Sequence, residues 1–525
     1  MSSPGPSRRR LPMSALLVAA TLLLAHLLTL GRYGIFRDEF YYLANARHLA
    51  WGYVDHPPLV AGIAWLTTHT LGTSVYALRL PMLLLLVGVL AVVAGLVRRM
   101  GGGGVAVTVA WLAFALSPYY LYTFHYLSMN APEVLLWSAA ALLLSDATSD
   151  RDSATAASGE RALPAAPPDP RRAWLLFGLV IGLAALTKVS GLVWGAALVV
   201  GMVLTPARRH LRSPWAWASV GLAVLLFLPH VWWQHANGWP TAEFVRNAQR
   251  DKITVLSPGA FLLEQVSLLG PVGTVVVIAA FAGLVRPRAP WRSHAVAWLF
   301  VVGVFIAQRS KPYYVMPAYP VLLAGGAVAL ERWAPWRFWW GRLAQSPVIL
   351  LGVLLVPVTL PVLSPERLQV HLARLGISVE SGERHRKGVL PQHYADMFGW
   401  ETLADDVARA VATLSPAERA AAKIFTQNYG EAGALEYYGP SRGLPPVISG
   451  HNAYWHWGPG ADTGGPLIVV GGEADDHRQV FTDVRVVGRT TCTLCMPYEQ
   501  GLPIYVCRRP TRPLRELWPA VRHFG

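Results

Sequence analysis

The sequence is poor in cysteine and poor in charge. Three cysteines in 525 residues cannot build the dense cross-linked framework of a small secreted module. Charged residues make up 14% of the chain, against about 25% in an average soluble domain. A disordered chain and a coiled coil both need far more charge, so both are excluded. An ordinary water-soluble enzyme fits poorly as well. What is present is apolar. Hydrophobic residues account for 53% of the chain, tryptophan occurs 21 times, and the mean hydropathy is +0.36.

The net charge of +15 could suggest a nucleic-acid partner, but its distribution argues otherwise. Residues 364–525 carry 17 basic and 17 acidic side chains and are neutral. The whole excess therefore lies in residues 1–363, in short clusters between long apolar runs. That is the pattern of cytoplasmic membrane loops. No basic stripe with interleaved aromatics marks a nucleic-acid surface.

A bilayer core needs about 20 apolar residues per helix. About 11 candidate spans follow, at 12–33, 78–99, 104–123, 130–145, 172–187, 190–205, 214–233, 262–285, 294–308, 313–331 and 346–363. The first follows Arg8–Arg10, but no small-residue cleavage site precedes the charged segment Phe36–Glu39, so it reads as a span and not a signal peptide. With the N-terminus cytoplasmic, nearly every basic cluster falls inside: Arg98-Arg99, the loop 146–172, Arg208, Arg209 and Arg212, then Arg286, Arg288 and Arg292, then Arg332, Arg337 and Arg342. The expected architecture is an α-helical multi-pass membrane domain, residues 1–363, with an external loop at 34–77. The cytoplasmic loop 146–172 is rich in Ala, Ser, Asp and Pro and reads as flexible.

Residues 364–525 read as a separate α/β domain outside the cytoplasm. The spacing predicts a helix over 401–414 and buried strands at 422–427, 466–471 and 503–507. All three cysteines lie here. Cys492 and Cys495 can form a disulfide, with Cys507 as an exchange partner. Free thiols remain an alternative, and so does a metal site completed by a residue such as His477. No internal repeat is found.

Two polar clusters interrupt the membrane half. The loop 34–77 holds Asp38, Glu39 and Asp55 among Phe36, Phe40, Tyr41, Tyr42, Trp51 and Tyr53. A short helix over 37–51 puts Asp38 and Glu39 in its first turn, where the helix dipole favours anions. Asp55-His56-Pro57-Pro58 then stops the helix and fixes the chain direction. The loop reads either as an interfacial helix with solvated charges or as a cluster of acid, base and imidazole at the membrane surface. The second cluster is Gln308-Arg309-Ser310-Lys311-Pro312-Tyr313-Tyr314. Its cations stand outside, where the charge rule disfavours them. They either snorkel or form a socket for an anionic headgroup. Lys188, Arg246, Arg250 and Lys252 fall on the same side. Carboxylates and cations at one face suit transfer of a sugar from a lipid phosphate, since cations stabilise the departing phosphate and a carboxylate deprotonates the acceptor.

At these residues the chain resembles a known family. Arg37-Asp38-Glu39-Phe40-Tyr41-Tyr42, followed by Gly52-Tyr53-Val54-Asp55-His56-Pro57-Pro58-Leu59, is similar to the first external loop of GT-C glycosyltransferases. The group concerned is that of the bacterial proteins related to the protein O-mannosyltransferases and the aminoarabinose transferase ArnT. Lys311-Pro312-Tyr313-Tyr314 through Pro320 resembles that group's lysine-tyrosine-proline element. Phe398–Trp400, Gln427–Gly433 and Ser449–Gly458 resemble the tails of its bacterial members. The resemblance implies a multi-pass bacterial inner-membrane enzyme with a polyprenyl-phosphate sugar donor, an inverting transfer and a lipid, glycan or protein acceptor. Asp38 then matches the general base, with Glu39 beside it. Asp55 and His56 match a pair that holds a metal or the donor phosphate, although relatives carry lysine at the His56 position. Lys311 matches a phosphate-binding lysine, and Tyr313, Lys188 and Arg246 are further candidates. A divalent metal remains open, with Asp55 as the candidate ligand.

Two other classes compete with this reading. A transporter or lipid flippase should show polar groups at mid-membrane, whereas the spans read here as nearly free of buried charge. A non-catalytic envelope protein could bind glycans through Tyr454, Trp455 and Trp457.

Overall fold

The computed structural model describes residues 11–148, 169–284, 289–333, 346–378, 386 and 388–525. Most of the loop 146–172 lies outside these residues, as do Arg8–Arg10, Arg286, Arg288, Arg337 and Arg342. The chain forms two compact units. One comprises Met1–Leu30, Arg79–Trp232 and Val255–Val362, and the other Gly31–Leu78, Trp233–Thr254 and Leu363–Gly525. The units do not follow chain order. Two internal segments join the tail, where the sequence suggests one cut at Ser364.

The first unit is helical. A helix lies in each apolar run, because these runs are rich in Leu, Val and Ala and carry few charges. Among the described residues, five helices are long and apolar enough to cross a membrane alone: Val75–Arg99, Pro170–Thr187, Pro214–Ala236, Pro258–Gly283 and Pro312–Glu331. Ser190–Val203 and Pro206–Arg212 form a further pair bent by 111°, and Met13–Thr29, Gly104–Ala115, Arg292–Ala307 and Ser346–Thr359 are shorter apolar helices. Leu17, Leu225 and Leu263 are exposed on such helices, as expected of lipid-facing positions. Small residues let the helices approach closely. A side chain at Gly326, in Tyr319–Glu331, would collide with the Val276 carbonyl oxygen of Pro258–Gly283. Pro258–Gly283 is broken at Gly270, whose φ of 70° precedes Pro271.

One expectation about this unit is corrected. Its interior is not free of charge. Glu133, only 1% exposed, lies 3.5 Å from the Lys188 ammonium, and the Ser190 hydroxyl donates to the same carboxylate. Lys188 also donates to Asn130 Oδ1 at 3.3 Å and sits 3.8 Å from the centre of the Tyr314 ring. Charges persist at such a depth because each has a partner.

The second unit is built on a five-stranded sheet of order β2-β1-β3-β5-β4, with β1 Lys423–Thr426, β2 Val447–Ser449, β3 Leu467–Val470, β4 Phe481–Arg489 and β5 Pro503–Pro510. β2, β1 and β3 are parallel, while β5 runs antiparallel to both β3 and β4. The strands expected at 422–427, 466–471 and 503–507 are β1, β3 and β5. β2 is too short, and β4 too exposed and polar, to show an apolar run. Alternation sends Ile424, Ile468, Val470, Ile504 and Val506 to one face, where the helix Trp400–Ala412 covers them with Leu403, Val407 and Val411. Ile448, Leu467, Val469, Tyr505 and Cys507 pack on the other face. Ile35 and Phe40, from the segment before the first long span, belong to the first of these cores. Cys492 and Cys495 form a disulfide, and Cys507 is buried.

Candidate active site

The helix Arg37–Arg47 positions the acidic residues of the second unit. It ends earlier than the expected residue 51, because the Tyr53 hydroxyl returns to the Asn45 carbonyl at 3.1 Å and occupies its C-terminus. Asp38 and Glu39 both fall in the first turn, but they are placed differently. Glu39 is fully buried, and its Oε2 accepts from the Phe36 N–H at 2.8 Å. It caps the helix. Asp38 keeps 31% of its side chain exposed. Its Oδ1 accepts from the Tyr429 hydroxyl at 2.8 Å and lies 3.7 Å from Arg37 Nε.

Asp55 reaches the same place through a parallel contact. Its Oδ1 accepts from the Tyr41 hydroxyl at 2.9 Å, and the Tyr41 and Tyr429 rings stack with centroids 4.5 Å apart. Two carboxylates are thus held on the hydroxyls of two stacked tyrosines. Burial is the main reason the Asp55 carboxyl is pushed up, opposed by His56 and by the Tyr41 hydrogen bond. Burial also holds both phenols well above their ordinary value, so both remain donors. Tyr429 is itself fixed by its backbone, whose N–H donates to His451 Nδ1 at 3.1 Å.

His56 does not join this group. It is fully buried, with Nδ1 2.8 Å from the Pro57 carbonyl and Nε2 2.9 Å from the Asn45 amide. Both ring nitrogens are engaged inside the protein. Asp55 is also poorly placed as a metal ligand. Among the described residues no three His, Cys, Asp or Glu side chains converge on a point. Near Asp55 stand the Tyr41 phenol, the engaged His56 and the Asp38 carboxylate.

Cations gather beside the tyrosines. A cavity of about 320 Å³ is lined by Arg37, Arg250, Lys252, Asn428, Tyr429 and His451, among others. Arg37 donates to the Tyr498 hydroxyl at 2.5 Å and lies 3.8 Å from Asp396. Arg250 and Lys252 belong to a π-helical turn, Ala248–Lys252. Arg246, one turn earlier, is exposed and does not line the cavity. In the first unit Lys188 meets Tyr313 and Tyr314, its ammonium lying 5.3 and 3.8 Å from their ring centres. Lys311 begins that same turn, Pro312–Ala318, and is half-buried.

The fold has known counterparts. ArnT from Cupriavidus metallidurans bound to undecaprenyl phosphate superposes with a TM-score of 0.59 at 17% identity, over 94% of this chain and 97% of that one. The apo form of the same protein gives 0.61 at 16%, with the same coverage. The chain shares the fold of that protein. The mycobacterial arabinofuranosyltransferase AftD matches with a TM-score of 0.51 at 16% identity, over 97% of this chain and 41% of that one. Residues 55–159 and 163–233 match the dolichyl-phosphate-mannose-protein mannosyltransferase family. No curated protein matches the chain by sequence. Sequence reasoning missed Arg37 and Tyr429 as partners of Asp38, and His451 as the partner of Tyr429. Asn428 carried a signal for them. It follows the apolar run of β1 and caps the next helix, Tyr429–Tyr438, by accepting from the Gly430 and Glu431 N–H groups.

Proposed function

We propose that the protein is a membrane glycosyltransferase. It moves a hexosyl or pentosyl unit from a polyprenyl-phosphate carrier to a hydroxyl on a lipid, glycan or protein acceptor, with inversion, outside the bacterial inner membrane. Asp38 takes the acceptor proton as the acceptor oxygen attacks the anomeric carbon. The bond from that carbon to the phosphate oxygen breaks, and the carrier phosphate leaves with the electron pair. A single displacement of this kind inverts the anomeric centre. Arg37, Arg250 and Lys252, which line one cavity with Tyr429, offset the charge developing on phosphate; Lys311, Lys188 and Tyr313 of the membrane unit are separate candidates for binding the donor. Asp55 is a positioning group, because it is buried and tied to Tyr41. About 11 spans, an N-terminus inside and residues 364–525 outside complete the reading. Single cysteines at 155 and 440 should label from opposite sides of the membrane.

The observation that carries this proposal is the partly exposed Asp38 carboxylate, held at Oδ1 by Tyr429 on the fold that the chain shares with ArnT. The testing experiment is Asp38→Asn, assayed with polyprenyl-phosphate sugars in proteoliposomes. Turnover should fall by at least about 10² while protein level and donor binding persist. Near-normal turnover would reject Asp38 as the base. The transporter reading gains one point from the buried Glu133–Lys188 pair. Lipid translocation that survives Asp38→Asn, without glycosyl transfer in the wild type, would favour it.

A further inference from the structure

Behind Tyr429 lies a pair of acids that the proposed transfer does not use. Glu431 and Glu499 are 1% and 7% exposed. The Asn428 amide nitrogen donates to Glu431 Oε1 at 2.9 Å and to Glu499 Oε1 at 3.0 Å. One nitrogen therefore holds an oxygen from each carboxyl group. Glu431 Oε2 takes the Gln427 N–H at 3.0 Å. Two buried carboxyl groups gathered on one nitrogen are like charges that resist ionising together, and a single proton between them relieves the repulsion.

The neighbours do not remove that repulsion. The charged groups facing the pair are Arg37 and Asp396. They lie 3.8 Å from each other and partly cancel. Burial and then Glu499 push the Glu431 carboxyl well above its ordinary range, and burial also raises Glu499.

We propose that Glu431 and Glu499 share one proton at neutral pH and, through Asn428, hold Tyr429 on Asp38. They are positioning residues. Asn428 is both the bridge between the acids and the cap of the helix on which Tyr429 is the first residue. Loss of the shared proton puts two charges on one amide and releases that cap. The placement of Asp38 is then sensitive to alkali. The functional half of this inference rests on the glycosyltransferase reading, while the shared proton does not.

The test uses the full-length protein in detergent. Infrared difference spectra of wild type against Glu431→Gln should show a protonated carboxyl band at pH 7. In Glu499→Gln, where an amide replaces the second acid, the titration midpoint of that band should fall by about one pH unit or more. Absence of the band at pH 7, or an unmoved midpoint, would overturn the shared proton. Transfer by the wild type should decline as this band titrates away, and in Glu499→Gln the alkaline limb of the pH profile, measured relative to that variant's own maximum, should shift with the band. An alkaline limb left in place in Glu499→Gln would overturn the positioning role. If no variant and no wild type transfers sugar at any pH, the glycosyltransferase reading fails, and the infrared result still decides the proton.

Discussion

The Tyr429 hydroxyl donates to Asp38 Oδ1 at 2.8 Å, across 391 residues of sequence. Asp38 opens a helix near the N-terminus, whereas Tyr429 opens one that follows the first strand of the tail sheet. Removing the phenol leaves the carboxylate without its fixed donor. A charge-assisted hydrogen bond contributes about 1.5–3 kcal/mol. Tyr429→Phe should therefore lower turnover by roughly ten- to a hundredfold, less than Asp38→Asn, with an unchanged melting profile. A turnover equal to wild type would show that Asp38 needs no such anchor.

The two lysines of the membrane unit should behave differently. Lys188 is paired with the buried Glu133. Lys188→Ala leaves that carboxylate uncompensated, a loss of about 3–5 kcal/mol in comparable buried pairs. We expect reduced yield and a lower melting temperature, restored in part by Glu133→Gln in the same chain. Lys311→Ala should express normally and weaken donor use by roughly ten- to a hundredfold. Donor kinetics unaffected by Lys311→Ala would return this lysine to a snorkelling role.

His451 should give the protein an acid limit. Burial lowers its imidazole to about 3, against an ordinary 6.5. The folded protein then binds fewer protons at this site than the unfolded chain, so the stabilisation is complete above about 6.5 and is lost as pH falls toward about 3. Protonation would also place a proton on Nδ1, which accepts from Tyr429 N–H. Thermal melts between pH 7.5 and 4 should show a steeper loss in wild type than in His451→Gln. Parallel curves would remove His451 from the account.

Phe40 tests the shared core. It is fully buried beside Trp400, Tyr437 and Tyr438, with ring centroids 5.7–5.9 Å away. Phe40→Ala should cost about 3–5 kcal/mol. A fragment beginning near residue 363 lacks Ile35 and Phe40 and should melt lower than the same fragment joined to residues 31–78. Equal melting would mean that the tail owns its core without them. Reduction of Cys492–Cys495 should remove about 2 kcal/mol by the chain-entropy argument for so short a loop, read as a lower melting temperature in dithiothreitol.

Local order sufficed for much of this protein. The long apolar runs of the first unit dictate helices and the short ones of the tail dictate strands, because each pattern repeats within a few residues. The helix at 401–414 and three of the five strands were legible for the same reason. Asp38 was legible as a candidate because a charge in an aromatic loop beside the membrane needs an explanation. The tertiary structure alone decided which neighbouring acid is free and which is a cap. Asp38 and Glu39 are adjacent in sequence, and the turn of the helix sends one toward Tyr429 and the other to Phe36 N–H. It alone buried His56 and paired Glu133 with Lys188. It also brought Tyr41, Tyr429, Glu431 and Glu499 into one neighbourhood. Contacts between residues hundreds of positions apart leave no period in a sequence, since they depend on how separate elements pack. What a side chain is free to do is fixed by those contacts.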